Sequence, residues 1–124
     1  MDETELLQRY ADHFRELGYE VGESEGLTAR HEAYPAVKLV PKGPGLLVIG
    51  WFGVKPGADA LTFSNQMNQV SLAMHFLVDD EGDLTLEGWV PGPYVREVAT
   101  AFIEMWHRDW QVMLAHEGTD AVVA

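Results

Sequence analysis

The spacing of apolar side chains predicts a helix near each end of the chain. Asp2 can cap the first helix, Glu5 follows three residues later, and apolar residues then recur every three or four positions as far as Leu17. The same spacing runs from Tyr94 to His116, a segment that would extend about 34 Å as a helix. A helix of that length crosses a whole small domain, so other elements must cover its apolar side.

The middle of the chain shows the patterns of β-strands. The segment from Leu46 to Phe52 is continuously apolar, which is typical of a central strand covered on both faces. Residues 79–83 supply a turn between two alternating segments and give the clearest hairpin. The earliest hairpin, which turns at Glu25-Gly26, has the weakest pattern. The predicted strands are 19–23, 36–40, 46–52, 71–78 and 84–90, and residues 27–32 are a possible partner of the first.

A short polar segment, residues 60–69, separates the strands into two groups. Asp59 can cap this segment as a helix. Three or four strands come before it and two after it, so we expect an α+β fold. Its antiparallel sheet would have about five strands in the order α-β-β-β-α-β-β-α. Residues 1–117 should form one domain, and residues 118–124 a flexible tail.

Charge restricts the function more than any other property of the composition. The chain has 20 acidic and 8 basic residues, a formal net charge of −12 and no cysteine. This charge disfavours direct contact with nucleic acid, because phosphate contacts need a basic face. It favours basic or polar protein partners. No segment reaches the ~20 apolar residues of a membrane span and the first residues are acidic, so we expect a cytoplasmic protein without a membrane partner.

Residue types that carry chemistry are present without the spacing that chemistry needs. The five histidines form no ligand motif on one helix face, although His75 could approach His31 across a sheet. The acidic turn at 79–83 lacks the spacing of a calcium loop. No serine lies in a nucleophile motif. The sequence therefore predicts no catalytic residue, no cofactor and no metal site.

Large aromatic side chains are more informative, because three of them lie on the last predicted helix. Most should belong to the core. If the sheet covers only one side of that helix, however, some apolar residues stay exposed, and such residues anchor protein interfaces. The candidate interface residues are Met105, Trp106, Trp110 and Met113.

The sequence leaves two alternatives open, one about a ligand pocket and one about a pair of asparagines. A small-molecule or enzymatic pocket could lie between the sheet and the long helix, lined by Trp51, His75 and Trp89. Asn65 and Asn68, three positions apart before a strand, could cap the surface or place a buried amide against sheet backbone. We favour a structural role for these two asparagines.

The chain resembles the bacterial YbjN-like family over about residues 2–115. The resemblance rests on Asn65 and Asn68 before an alternating strand, on the acidic hairpin at 79–84, and on a final helix that carries Phe102 and Trp110. Members of this family are provisionally labelled sensory transduction regulators, and their fold is similar to that of type III secretion chaperones. The resemblance implies a small acidic protein without catalytic residues, commonly a homodimer, that binds other proteins and is linked to stress responses.

These observations lead to one main hypothesis. We expect an acidic, homodimeric adaptor or chaperone-like regulator that binds partners through the apolar side of its last helix or through an exposed sheet face. Its partners would include basic or nucleic-acid-binding proteins, since an acidic module can bind such a protein without touching nucleic acid.

Overall fold

Helical and extended segments follow one another along the chain as the pattern predicts. The computed structural model describes residues 2–23 and 26–124. The helices are α1 (Glu3–Glu16), α2 (Ala60–Val70), α3 (Arg96–Ala115) and α4 (Thr119–Val122). The strands are β1 (Glu20–Glu23), β2 (Leu27–Arg30), β3 (Val37–Lys42), β4 (Gly45–Phe52), β5 (His75–Val78) and β6 (Leu84–Pro91).

The predicted α+β class is confirmed, with one more strand than expected. Over the described residues the sheet has six strands in the order β1-β2-β3-β4-β6-β5, and every neighbouring pair is antiparallel. The weakly patterned β1 and β2 both form, which accounts for the additional strand. The turn predicted at Glu25-Gly26 lies partly outside the described residues.

Two aspartates begin helices as predicted. Asp2 Oδ1 accepts a hydrogen bond from the backbone N–H of Glu5 at 2.8 Å, which caps α1. Asp59 Oδ1 accepts from the N–H of Thr62 at 3.0 Å, which caps α2. Each carboxylate satisfies a backbone donor that has no partner inside its helix.

The sheet is covered by helices on one face only. Buried and less buried residues alternate along β3, β4 and β6, as they do in a strand with one face in the core. The prediction that residues 46–52 are covered on both faces is therefore wrong. The buried face carries Val37, Leu39, Leu46, Val48, Leu84, Leu86 and Val90, and we call the other face the open face.

The end of the chain packs against the domain, contrary to the expected flexible tail at 118–124. Thr119 and Val122 in α4 are buried. Val123 forms an isolated antiparallel bridge with Val54, and the N–H of Ala124 donates to the carbonyl of Gly53 at 3.0 Å. The small apolar residues of this segment contact the residues that follow β4. A short apolar pattern at the end of a sequence does not indicate such a tertiary contact.

A buried carboxylate on α3 fixes the connection between α2 and β5. Asp109, whose side chain is fully buried, accepts hydrogen bonds of 2.7–2.9 Å from the three successive N–H groups of residues 72–74. Arg108 donates to the same carboxylate at 2.9 Å and to the carbonyl of Val70 at 2.7 Å. These amides donate to Asp109 and not to the backbone of a neighbouring strand. β5 therefore begins at His75 and not at Ser71 as predicted.

The outer edge of β5 is closed by a side chain of α2. Asn68 accepts from the N–H of Phe76 at 2.7 Å and donates to the carbonyl of the same residue at 2.9 Å. The amide thus takes the place of a further strand at the sheet edge, where unpaired backbone groups would otherwise invite association. This contact supports the predicted structural role of Asn68, whereas Asn65 is exposed.

We predict that Asp109→Asn lowers the free energy of unfolding by about 2–3 kcal/mol, because it weakens hydrogen bonds to a buried charge. Urea unfolding measures this change. The control is Asp12→Asn, which alters an exposed carboxylate paired with Arg15 and should change stability by less than about 0.5 kcal/mol. Equal stabilities of the two variants would contradict the role assigned to Asp109.

Candidate functional site

The open face of the sheet carries a continuous group of apolar side chains. Trp51 on β4 is 52% exposed and Trp89 on β6 is 45% exposed, although these two strands pair with each other along their whole length. Exposed tryptophans on one surface are characteristic of protein interfaces. We call this group the apolar strip, and it consists of Val40, Leu47, Ile49, Trp51, Leu77 and Trp89.

Strand register places side chains of the apolar strip next to one another. Leu47 on β4 lies opposite Val40 on β3 and opposite Trp89 on β6. Residues opposite each other in an antiparallel pair have their side chains on the same face, within about 5 Å at Cβ. The three side chains therefore form one row across three strands, and the strip is a property of the sheet rather than of a single strand.

The indole of Trp89 is fixed in place although it is exposed. Its Nε1 donates to the carbonyl of Lys42 at 3.0 Å, so the ring reaches across β4 toward the turn between β3 and β4. Gly45 leaves room for it, since a Cβ at that position would lie 2.7 Å from Cζ2 of the indole. A partner that packs on this ring would lose little side-chain entropy, because the ring is already ordered.

A groove of about 430 Å³ lies beside this indole. Its walls include Pro44, Leu47, His75, Glu87 and Trp89. The groove is on the open face, on the opposite side of the sheet from α3. Between the sheet and the long helix, where we expected a pocket, core side chains such as Phe102 and Leu86 are buried. His75 and Trp89 do meet in a concave site, but Trp51 does not line it.

Two of the four candidate interface residues belong to the core, which corrects the prediction. Trp106 is 1% exposed and stacks on Phe102 with 6.1 Å between ring centroids, and Met113 is fully buried. Trp110 is half-buried and packs edge-on against Phe52. Met105 is 36% exposed. Helical spacing identified the apolar side of α3 correctly, but that side faces the sheet.

A second apolar surface lies on the outside of α3. Val98 and Met105 are exposed on this helix. Val70 and Leu72 are also exposed, and their backbone is held next to α3 by Arg108 and Asp109. We call these four apolar residues the α3 outer surface.

An aromatic cluster that the sequence did not reveal joins three distant segments. The rings of Tyr34 and His107 stack with centroids 3.7 Å apart, and the Tyr19 hydroxyl is hydrogen-bonded to His107 Nε2 at 2.7 Å. His31 packs against both tyrosines. Burial, with a smaller contribution from His31, lowers the pKa of His107 to about 4. No spacing rule connects residues 19, 31, 34 and 107, because the tertiary fold brings them together.

His31 and His75 do not come together, contrary to the approach that we considered from the sequence. His31 follows β2 and His75 begins β5, and these strands are separated in the sheet by β3, β4 and β6. Within residues 2–23 and 26–124, no three potential ligands among histidine, aspartate and glutamate are grouped to hold a metal ion.

Comparison with known proteins identifies the fold. No family model and no curated protein sequence matches the chain. The crystal structure of YbjN from E. coli, provisionally described as a transcription regulator, superposes with a TM-score of 0.74 at 15% sequence identity. The match covers 99% of this chain and 96% of that one. This chain has the YbjN fold.

The resemblance drawn from the sequence is thus confirmed at the level of the YbjN fold. The correspondence includes nearly the whole chain, so the sheet and its helices form one shared architecture. Among the described helices of this protein, none has the length and apolar character to cross a membrane.

We predict that His107 makes the stability fall as the pH falls from about 6.5 to about 4. The folded state lowers the pKa of His107, so the unfolded state binds the proton more tightly, and stability is lost below the unfolded pKa. The loss should be about 1–3 kcal/mol. Urea unfolding at pH 7.5 and at pH 4.5 measures it.

Two variants isolate this contribution. His107→Gln should lose less stability on acidification than the natural protein, although not zero, because burial also lowers the pKa of His13. The exposed His75 provides the control, and His75→Gln should behave like the natural protein. An unchanged pH dependence in His107→Gln would contradict the assignment.

Proposed function

We propose that this protein is a non-enzymatic, protein-binding adaptor or chaperone-like regulator that binds its partner through the open face. The apolar strip is the observation that carries the proposal. It presents two exposed tryptophans on a rigid sheet, and one of them is already ordered by a hydrogen bond to backbone. Aromatic anchors of this kind supply most of the binding energy in protein interfaces.

The continuous apolar sequence of β4 supports the same proposal. A strand with one face in water normally alternates apolar and polar residues. β4 instead places Leu47, Ile49 and Trp51 on the open face. Such a surface promotes aggregation unless something covers it. A protein partner that packs on the strip explains why both faces of this strand are apolar.

The regulatory and stress-related parts of the proposal come from the resemblance. E. coli YbjN is provisionally described as a transcription regulator, and it shares the fold over nearly the whole length. We propose that this protein likewise acts in regulation, in the cytoplasm and in stress responses, by binding other proteins. The net charge of −12 favours such a role over direct contact with nucleic acid.

A small-molecule or enzymatic pocket is the second candidate function. The groove beside Trp89 has a volume in the range of ligand pockets, and His75 lies directly opposite Glu87 on its floor. A protein partner accounts for more of the surface, because the groove is continuous with the apolar strip. A small molecule would leave Trp51 and Leu77 uncovered.

We also propose that two copies associate through the α3 outer surface. Met105 keeps its predicted role in this arrangement, and Val98, Val70 and Leu72 replace the buried Trp106 and Met113. This surface alone can form a twofold dimer interface, since each copy contributes the same residues.

We predict that the open face is required for partner binding. The tagged protein would be used to capture partners from a lysate of its source at low and at moderate salt, followed by mass spectrometry. Replacing Trp51 and Trp89 together by Ser should remove the captured protein. The matched control replaces by Ser two exposed residues away from the open face, Leu17 at the end of α1 and Leu61 on α2, and should retain it. Retention of the same partner by both double variants would contradict the proposal.

We predict that Met105→Glu converts a dimer into a monomer, because it places a charge in the centre of the contact. Light scattering should give twice the 13.8 kDa mass of one chain for the natural protein and a single mass for the variant. Leu61→Glu, at a more exposed apolar position on α2, should leave the dimer intact. A natural protein of single mass, or a variant that remains dimeric, would contradict the arrangement.

A further inference from the structure

The charges on the open face differ from those of the molecule as a whole. The chain has two and a half times as many acidic as basic residues. On the open face, however, strand register places three basic residues, Arg30, Lys38 and Lys42, against two acidic ones, Glu20 and Glu87. Contact between surfaces depends on such local charges, because salt screens distant ones over about 8 Å.

The two acidic residues of this face have basic or imidazole neighbours. Glu20 lies opposite Arg30 on the adjacent strand, and Glu87 lies opposite His75. Cross-strand neighbours of this kind interact directly. Glu20 thus has a cationic residue opposite it and Glu87 has an imidazole, although among the described residues neither carboxylate forms an ion pair.

The two lysines of the face have no such neighbours. Lys38 lies between Thr28 and Ile49, and Lys42 lies opposite Gly45. Within the part of the chain that the structure describes, neither lysine forms an ion pair. Around Val40 the charge next to the apolar strip is therefore positive. At the other end of the strip, Asp79, Asp80, Glu81 and Asp83 line a pocket beside Trp51, so the positive charge is confined to the β3 side.

The lysines also have a definite geometry relative to the strip. They are four residues apart on β3 with their side chains on the same face, and Val40 lies between them. Four residues of a strand span about 13 Å. Lys42 also borders the groove beside Trp89. An extended segment with two acidic residues four positions apart and an apolar residue between them matches this spacing.

We infer that the open face binds a segment of a protein partner that is both apolar and acidic. Its apolar side chain packs on Val40 and Leu47 at the border of the groove beside Trp89, and its carboxylates contact Lys38 and Lys42. This inference rests on the proposed function and specifies the chemistry of the partner. It differs from the basic partner that the total charge suggests, because the part of the contact surface around Lys38 and Lys42 carries the opposite local charge.

The test uses the full chain and three blocked five-residue peptides. All have Leu at position three and Ser at positions two and four, with Glu, Gln or Lys at positions one and five. Binding is followed by the indole N–H resonance of Trp89 in proton–nitrogen correlation spectra, assigned with Trp89→Phe. The Glu peptide should bind most tightly, by about twofold to fivefold for each ion pair relative to the Gln peptide.

Charge-matched variants locate the contact. Lys42→Gln and Lys38→Gln should each weaken binding of the Glu peptide by about twofold to fivefold. Arg9→Gln is the control, since Arg9 is exposed on α1, behind the covered face, and its replacement changes the total charge equally. Arg9→Gln should bind the Glu peptide as the natural protein does.

Several results would overturn the inference. These are tighter binding of the Lys peptide, an unchanged affinity in Lys42→Gln, no shift of the Trp89 resonance with any peptide, or displacement of the Glu peptide by a single-stranded oligonucleotide. If these peptides fail while the double tryptophan variant still loses its captured partner, the chemistry of the partner is wrong and the binding surface stands. If the partner is captured equally by that variant, the proposed function itself fails.

Discussion

The coverage of the sheet on one face only is the constraint on which the rest of the structure depends. All the large core side chains of α1 and α3 pack on the buried face, which leaves the second face of β4 and β6 in water. That face is apolar at Leu47, Ile49, Trp51 and Trp89. A sheet with two apolar faces and helices on one of them leaves apolar surface uncovered, and we propose that a partner surface covers it.

Polar contacts from the helices then determine the shape of the open face. Asp109 binds three backbone amides ahead of β5, and Asn68 closes the outer edge of that strand at Phe76. These contacts hold β5 beside β6 and so place His75 next to Glu87. At the other end of the groove, the hydrogen bond from Trp89 to the carbonyl of Lys42 orders the indole. The groove thus depends on buried polar groups as much as on its own walls.

Much of the fold could be predicted from periodicity, whereas the site could be predicted only in part. The helix caps at Asp2 and Asp59 and the final hairpin follow from local sequence, and the structure contains them. Burial of Trp106 could not be predicted, because helical spacing defines an apolar side without saying what covers it. The exposure of one face of β4 could not be predicted either, because β4 is apolar at nearly every position. A continuous apolar run does not distinguish a strand buried by its own chain from one that is buried by a partner.

The central claim is that the open face is the surface that a partner covers. Hydroxyl-radical footprinting of the free protein and of its captured complex tests this claim most directly, because it reports the solvent exposure of each tryptophan. The account predicts that Trp51 and Trp89 are oxidised in the free protein and protected in the complex, while the buried Trp106 reacts in neither. Equal oxidation of Trp51 and Trp89 in the free and bound states would contradict it.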